Sequence, residues 1–297
     1  MERHSNYRTT GKPEYTTAGN EREISILKLL ARYDLLPSRY VYHALGKYHG
    51  TRKALTLLSK GHYIGFPDLP REEKLAYIPR NGFGVFELKP RGRMLLAKHG
   101  DVYAHGGNDH FKHRLLRSEI EYLLDRAPFQ VKGPEHILAD NRCPESTRDA
   151  SYPFRIEHPK LEPDITRGFS DGSRTIFAHI EVDRGTEPVV SQNARQSLKS
   201  KVERYAEYFR TGAYKSRFGF EVAPSVAFMT TRPDTASLID LFPEKGKTRF
   251  YALSINPKLL PTDNLIVPWQ GKDGTLNLME LLGGQPREGA ESHAALA

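Results

Sequence analysis

Cysteine is nearly missing from this chain: Cys143 is the only one among 297 residues. A single thiol excludes an internal disulfide and a Cys₄ zinc site. The 12 histidines do not repair that, because no Cys/His spacing resembles a zinc-binding one. Long apolar runs are also lacking, so no stretch reaches the length that spans a bilayer. The opening MERHSNYRTTGKPEY has no apolar core of the secretory kind. The expectation is a cytoplasmic protein with no membrane partner. Internal repeats and low-complexity tracts are absent too. So is negative charge from one long stretch: no acid stands between Asp34 and Asp68.

What fills that stretch is basic. It holds Arg39, Lys47, Arg52, Lys53 and Lys60, with His43, His49 and His62. Residues 1–110 net +7 and residues 111–297 net +1, within a chain total of +8. A one-signed stretch this short points to a phosphate-binding face. Composition is otherwise globular, 38% hydrophobic and 27% charged, and the length suits two domains.

Periodicity organises the first part. Residues 1–19 are polar and expected to be disordered. A helix is expected over Glu21–Leu36, with Ile24, Leu27, Leu30 and Ala31 on one stripe. Pro37 breaks it, and Ser38 is placed to cap a short second helix ending at Gly46. Thr51 is placed to cap a third, ending at Gly61, with Leu55 and Leu58 inward and Arg52 and Lys53 outward. The runs HYIGF, LAYIPR and GVFELKP read as short strands, the last two joined by an Asn81-Gly82 turn. RGRMLLAKHG reads as a closing helix. Three helices followed by a hairpin is the winged-helix order, whose third helix enters the major groove. A winged-helix domain is therefore expected over residues 20–105. Arg39, Lys47, Arg52, Lys53 and Lys60 are its candidate DNA contacts, the partner being double-stranded DNA.

Residues 101–110 read as a Gly/Asp-rich linker. Beyond it, HRLLRSEIEYLL is helical, with Leu116, Ile120 and Leu123 as its core stripe. A loop or short strand is expected around Glu135–Ala139. Then comes the most telling text, LEPDITRGFSDGSRTIFAHIEVDRGTE. The run IFAHIEVD alternates with period two: Ile176, Ala178, Ile180 and Val182 face one way, and Phe177, His179, Glu181 and Asp183 the other. Glu162 and Asp164 share a face on the preceding strand. Two acids brought together across a hairpin do not both ionise cheaply without a cation. Hard oxygen ligands suit Mg²⁺ or Mn²⁺, so Asp164 and Glu181 are the candidate metal ligands, and Asp183 is either a third ligand or a residue that spoils catalysis. A helix over Ala194–Phe209 follows, with Leu198, Val202, Tyr205 and Phe209 on one face. A buried strand over Ser225–Thr230, a short helix over Thr235–Leu241 and a strand over Arg249–Ile255 complete an α/β core with a mixed sheet. Residues 283–297 read as a disordered tail.

This layout resembles the PD-(D/E)XK nuclease superfamily. Pro163-Asp164 matches the PD element, and Glu181-Val182-Asp183 occupies the (D/E)XK element, with aspartate where lysine is usual. The string IEVDRGTE, followed by a helix with Lys201 and Tyr205 four apart, resembles the replication-relaxation family of plasmid and mobile-element proteins, and also MobC-type relaxases. The likeness covers roughly residues 20–280. It implies a restriction-endonuclease-like domain over residues 106–282 and metal-dependent phosphodiester cleavage. It implies Asp164, Glu181, Asp183, Lys201, Tyr205 and Glu119 as catalytic candidates. Lys201 would stand in for the missing lysine, with Lys199 as competitor and Glu121 as alternative to Glu119. His113 opens the preceding helix, where similar proteins carry a histidine. His179 would stand behind the acids, and Arg184 would hold phosphate or pair with Asp183. The expected role is DNA processing, as a Mg-dependent endonuclease or relaxase. A homodimer and replication or transfer proteins are further candidate partners. Two alternatives stand beside it: an inactive nuclease fold acting as a DNA-binding replication or transcription factor, and a winged-helix protein-interaction module.

Overall fold

The structure, a computed structural model, describes residues 19–46, 48–67, 84–99, 111–126, 130–170, 175–190, 197–243, 250–255, 269–271 and 274–276. The expectations for the N-terminal residues 1–18, LAYIPR, the Asn81-Gly82 turn, the 101–110 linker and the 283–297 tail fall outside the described residues. The chain divides into two compact units, Met1–Asp109 and His110–Ala297. Both mix helices with strands, so the chain is of the α+β class.

The first unit begins with helix α1, Glu21–Tyr33. Its start is a capping box. The Glu23 amide donates to Asn20 Oδ1 at 3.0 Å, and the Asn20 amide donates back to Glu23 Oε2 at 3.2 Å. The helix stops three residues short of the expected Leu36, because Asp34 takes a φ of +62°. The next residues are strand β1, Leu35–Pro37. Their full burial goes to a sheet edge instead of a helix stripe. Ser38 is the first residue of helix α2, Ser38–Leu45, and not its cap; that place belongs to Pro37. Helix α3 spans Tyr48–Lys60 and starts before Thr51. Thr51 lies fully buried inside the helix, its hydroxyl donating to the Gly46 carbonyl at 2.9 Å.

Strands β2, Ile64–Gly65, and β3, Val85–Leu88, follow, then helix α4, Pro90–Lys98. The three strands form an antiparallel sheet in the order β1-β3-β2. Ile26, Leu27, Leu30, Leu35, Leu36 and Val41 are wholly buried, and Leu55, Leu58 and Leu96 nearly so. Each such side chain contributes roughly 1.5–3 kcal/mol of apolar burial. Gly92 admits the close approach of α4: a Cβ there would run into the Tyr63 carbonyl oxygen.

The second unit is built on a seven-stranded mixed sheet. Helix α5, Phe111–Asp125, precedes strand β4, Gln130–Lys132. The segment expected as a loop or strand is the short helix α6, Pro134–Leu138. Pro134 opens it with its φ preset for a helix and no amide to spare for a ladder. Helix α7, Glu145–Arg148, leads to the hairpin of β5, Ile165–Ser170, and β6, Thr175–Asp183. Helix α8, Leu198–Thr211, starts at a Ser197 cap, later than the expected Ala194, and continues two residues beyond Phe209. Residues 194–196 lie outside the described set. Helix α9, Ala213–Phe218, strand β7, Ser225–Thr230, helix α10, Ala236–Ile239, and strand β8, Phe250–Ser254, follow. Strands β9, Trp269–Gly271, and β10, Gly274–Leu276, were not expected from the sequence.

The sheet order is β10-β9-β8-β7-β6-β5-β4, with β6, β7 and β8 parallel. Both faces of β6 are covered, and its residues from Ala178 to Asp183 are buried. Ala178, Ile180 and Val182 pack with Leu116, Ile120 and Leu124 of α5. Phe177 packs on the opposite cluster, which holds Leu198, Val202, Tyr205 and Tyr208 of α8. Among the described residues no helix is long and apolar enough to cross a membrane.

Candidate active site

Strand register brings the two leading acids together. Ile165 pairs with Ile180, so one residue further along the ladder Asp164 stands opposite Glu181. Directly opposite residues of an antiparallel pair share a face. Helix α8 covers that face, and its residues 201 and 205 lie one turn apart. Lys201 Nζ is 3.0 Å from Glu181 Oε2 and 3.2 Å from Glu187 Oε1. The Tyr205 hydroxyl donates to the other Glu181 oxygen at 2.7 Å. Asp164 is held from α5, with His113 Nε2 3.0 Å from its Oδ1. The Val182 amide donates to Asp164 Oδ2 at 2.8 Å. Four elements, α5, β5, β6 and α8, therefore meet at one cluster of opposite charges.

Burial sets the electrostatics. Glu181 is pushed up to about 7, first by burial and then by the neighbouring Asp164 charge, against the pull of Lys201 and Tyr205. Burial pushes on Asp164 as well, yet the His113 hydrogen bond and the Lys201 charge outweigh it and hold that carboxyl below its ordinary value. Lys201 is raised although burial opposes its charge, because Glu181, Asp164 and Glu187 surround it. The cluster thus keeps one permanent cation against acids that differ in proton affinity, an arrangement common at functional sites. The Tyr205 hydroxyl, wholly buried, is raised by that burial and by Glu181.

The remaining candidates separate. Asp183 is 1% exposed and accepts from Thr230 Oγ1 at 2.7 Å and Arg232 Nε at 2.8 Å. Its other oxygen takes the Gly185 amide at 2.9 Å. Asp183 thus pairs with Arg232, while Arg184 reaches Thr186 at 3.3 Å. Lys199 is exposed and lies 3.9 Å from Glu203, one turn along α8. Glu119 is buried on α5, and the contact shown from that helix to Asp164 comes from His113. Glu121 and Asp125 face Arg167 instead, at 3.8 and 3.5 Å. His179 is fully buried between Thr166 Oγ1 at 3.0 Å and the Tyr208 hydroxyl at 3.1 Å. Burial lowers it to about 3, so its ring stays neutral.

Among the described residues no group of three or more His, Cys, Asp or Glu is arranged to hold a metal ion. Asp164 and Glu181 still form a suitable pair of hard donors. Each of their oxygens has one partner among the described residues, and an ionised carboxylate oxygen accepts two. Mg²⁺ is commonly held by one or two carboxylates, with water and substrate phosphate completing its shell.

In the first unit, Arg52, Lys53 and Lys60 are exposed along α3. Arg39 is buried more deeply, its guanidinium 4.8 Å from the Tyr40 ring. Lys47 lies outside the described residues. Sequence reasoning missed Arg232 altogether and gave Glu187 no task. The only signal for either was the surplus of charge around IEVDRGTE, because a partner 49 residues away leaves no local pattern.

A family model described as replication-relaxation matches residues 27–222, about two thirds of the chain. No curated protein and no solved structure matches it.

Proposed function

The chain belongs to the replication-relaxation family, and on that premise we propose that it docks on double-stranded DNA and processes it for a plasmid, phage or integrated element. The proposed chemistry is divalent-metal-dependent phosphodiester cleavage on a restriction-endonuclease-like domain, serving replication, relaxation or nicking in the manner of a MobC-type relaxase. One observation carries this reading: Lys201 of α8 meets Glu181 of β6 at 3.0 Å, beside Asp164. That juxtaposition supplies the carboxylate pair and the cation of a PD-(D/E)XK site, with the lysine moved to a helix.

Asp164 and Glu181 would hold Mg²⁺ or Mn²⁺. The ion, when bound, supplies charge to a phosphoryl oxygen and lowers the pKa of a coordinated water. Lys201 places an ammonium beside the scissile phosphate, where negative charge grows in the transition state. Tyr205, wholly buried, is not the nucleophile here; its hydroxyl fixes the orientation of Glu181. His113 fixes Asp164 through its Oδ1, while the Val182 amide holds its Oδ2.

In the first unit, helices α1, α2 and α3 followed by the antiparallel strands β2 and β3 support a winged-helix reading. In that reading α3 lies in the major groove and presents Arg52, Lys53 and Lys60 to phosphates or base edges. Cleavage of supercoiled plasmid with Mg²⁺ or Mn²⁺, wild type against Asp164→Ala, tests the proposal; equal products from both would sink it.

A second reading is a DNA-binding factor on an inactive nuclease fold. The engagement of Asp183 by Arg232 favours it, because that acid is withdrawn from the carboxylate pair. Salt-sensitive DNA binding without cleavage under any divalent ion would select this reading.

A further inference from the structure

Two departures from the nuclease pattern meet in one chain of contacts. Asp183 stands where lysine is usual, and the lysine stands on α8. Between them runs Arg232, just past the end of β7. Its Nε donates to Asp183 Oδ2 at 2.8 Å, and its Nη2 donates to the main-chain carbonyl of Glu187. The Glu187 side chain in turn lies 3.2 Å from Lys201 Nζ. Arg232 is further fixed by its own amide, 3.1 Å from Thr230 Oγ1, and that hydroxyl donates to Asp183. The segment carrying Glu187 also pairs with the start of α8: the Leu198 amide donates to Pro188 at 3.2 Å and the Lys199 amide to Val189 at 3.1 Å.

We propose that Asp183 and Arg232 are positioning residues that set the Lys201 ammonium through Glu187. The residue that displaced the lysine anchors the loop that aims its replacement. The physical requirement is plain. Lys201 carries a long side chain with a flexible four-carbon stem, and a single carboxylate would leave its ammonium free to swing about that contact. Glu181 and Glu187 together fix it from two directions. Glu187 lies in the turn after β6, beyond the reach of the strand ladder. Planar Arg232 holds it there with two separate donors, one on Asp183 and one on the loop carbonyl; lysine, a single point charge, does not replace that geometry. The inference rests on the proposed cleavage site for its catalytic consequence, but the positioning itself is a property of the folded chain.

The test reads the lysine directly. Lysine enriched in ¹³C and ¹⁵N, observed by NMR through its Cε and Nζ signals in the full chain, reports each ammonium without modifying it, and Lys201→Arg assigns the Lys201 signal by its loss. Arg232→Lys and Glu187→Gln are then compared with wild type, with melting curves confirming the fold. The Lys201 signal should move in both variants while those of Lys199 and the α3 lysines stay in place. In parallel, cleavage by Arg232→Lys should lose roughly tenfold in kcat with KM little changed, as a misplaced catalytic group does. An unmoved Lys201 signal in a folded Arg232→Lys variant overturns the proposal, even if cleavage is impaired. A moved signal in a protein that never cleaves upholds the positioning and defeats the nuclease reading alone. Asp183→Asn keeps the side-chain shape and removes its charge; it should shift the Lys201 signal in the same direction as Arg232→Lys, and a shift confined to Arg232→Lys counts against the role of Asp183.

Discussion

The two units use charge in opposite ways. On α3, Arg52, Lys53 and Lys60 are exposed cations of one sign. Around β6, Glu181, Glu187 and Lys201 carry both signs within hydrogen-bonding distance, with Asp164 beside them, and Glu181 is 3% exposed. Exposed charge acts at a distance, is screened by salt and tolerates loose geometry. Buried charge is costly unless paired, shifts proton affinities and depends closely on geometry. The first arrangement suits holding a phosphate backbone and the second suits chemistry on it.

The sharpest way to break that contrast is to remove the buried cation. Lys201→Met should lower cleavage by about 10²-fold or more, the loss expected for a transition-state charge partner. On the proposed reading α3 supplies the docking, so DNA affinity should stay near wild type. A plasmid-nicking assay beside a binding isotherm separates the two. Normal cleavage by this variant would hand the role to another cation, and a parallel loss of affinity would erase the distinction between the units.

How much of this contrast is legible in the sequence differs by unit. The period-two run over β6 sets both faces correctly, and strand β7 falls on Ser225–Thr230 as expected. Helices α1, α5 and α8 follow from their apolar stripes. The misses share a cause: each depends on a partner distant in sequence or on one backbone angle. Asp34 at positive φ turns the end of an expected helix into β1. Asp183 looks like a third ligand because its distant partner, Arg232, leaves no trace in local pattern. Glu119 and His113 sit on the same helix, yet only the register of α5 on the sheet decides that His113 touches Asp164.

Protonation gives the next test. Glu181 is raised from 4.5 to about 7 in the folded chain. Between those values the folded state holds more protons than the unfolded one, so stability falls as pH rises from about 4.5 to 7. The expected loss is on the order of 2 kcal/mol across that window. Asp164, held below its ordinary value, acts with the opposite sign in a more acidic window, where stability is lost as pH falls. Denaturation across this window and up to neutral pH should therefore show a declining limb in wild type that Glu181→Gln flattens. A limb of equal slope in both proteins would remove Glu181 from the account.

The exposed side of the comparison predicts a smaller and salt-dependent effect. Arg52→Ala with Lys53→Ala should weaken DNA binding about tenfold at moderate salt and reduce the salt slope by roughly 0.9 for each phosphate no longer neutralised. Neither change should alter the pH behaviour of the buried cluster. Fluorescence anisotropy at several salt concentrations measures both quantities. An unchanged slope would mean that α3 does not face the phosphates.

The smallest effect compares two lysines on one helix. Lys199 and Lys201 are two residues apart on α8, about 200° around its axis. Lys199 is 53% exposed and its partner Glu203 is 64% exposed, 3.9 Å away. A pair of that kind contributes at most a few tenths of a kcal/mol. Lys201 is 22% exposed and sits between two acids of the cluster. Lys199→Met should thus leave both cleavage and melting temperature almost unchanged, whereas Lys201→Met removes the cation on which the site depends. Composition treats the two residues as equals; only the stripe formed by Leu198, Val202 and Tyr205 distinguishes them. If Lys199→Met abolished cleavage and Lys201→Met did not, the helix would have to present its other side to the phosphate, and the contact between Lys201 and Glu181 would be a structural ion pair alone.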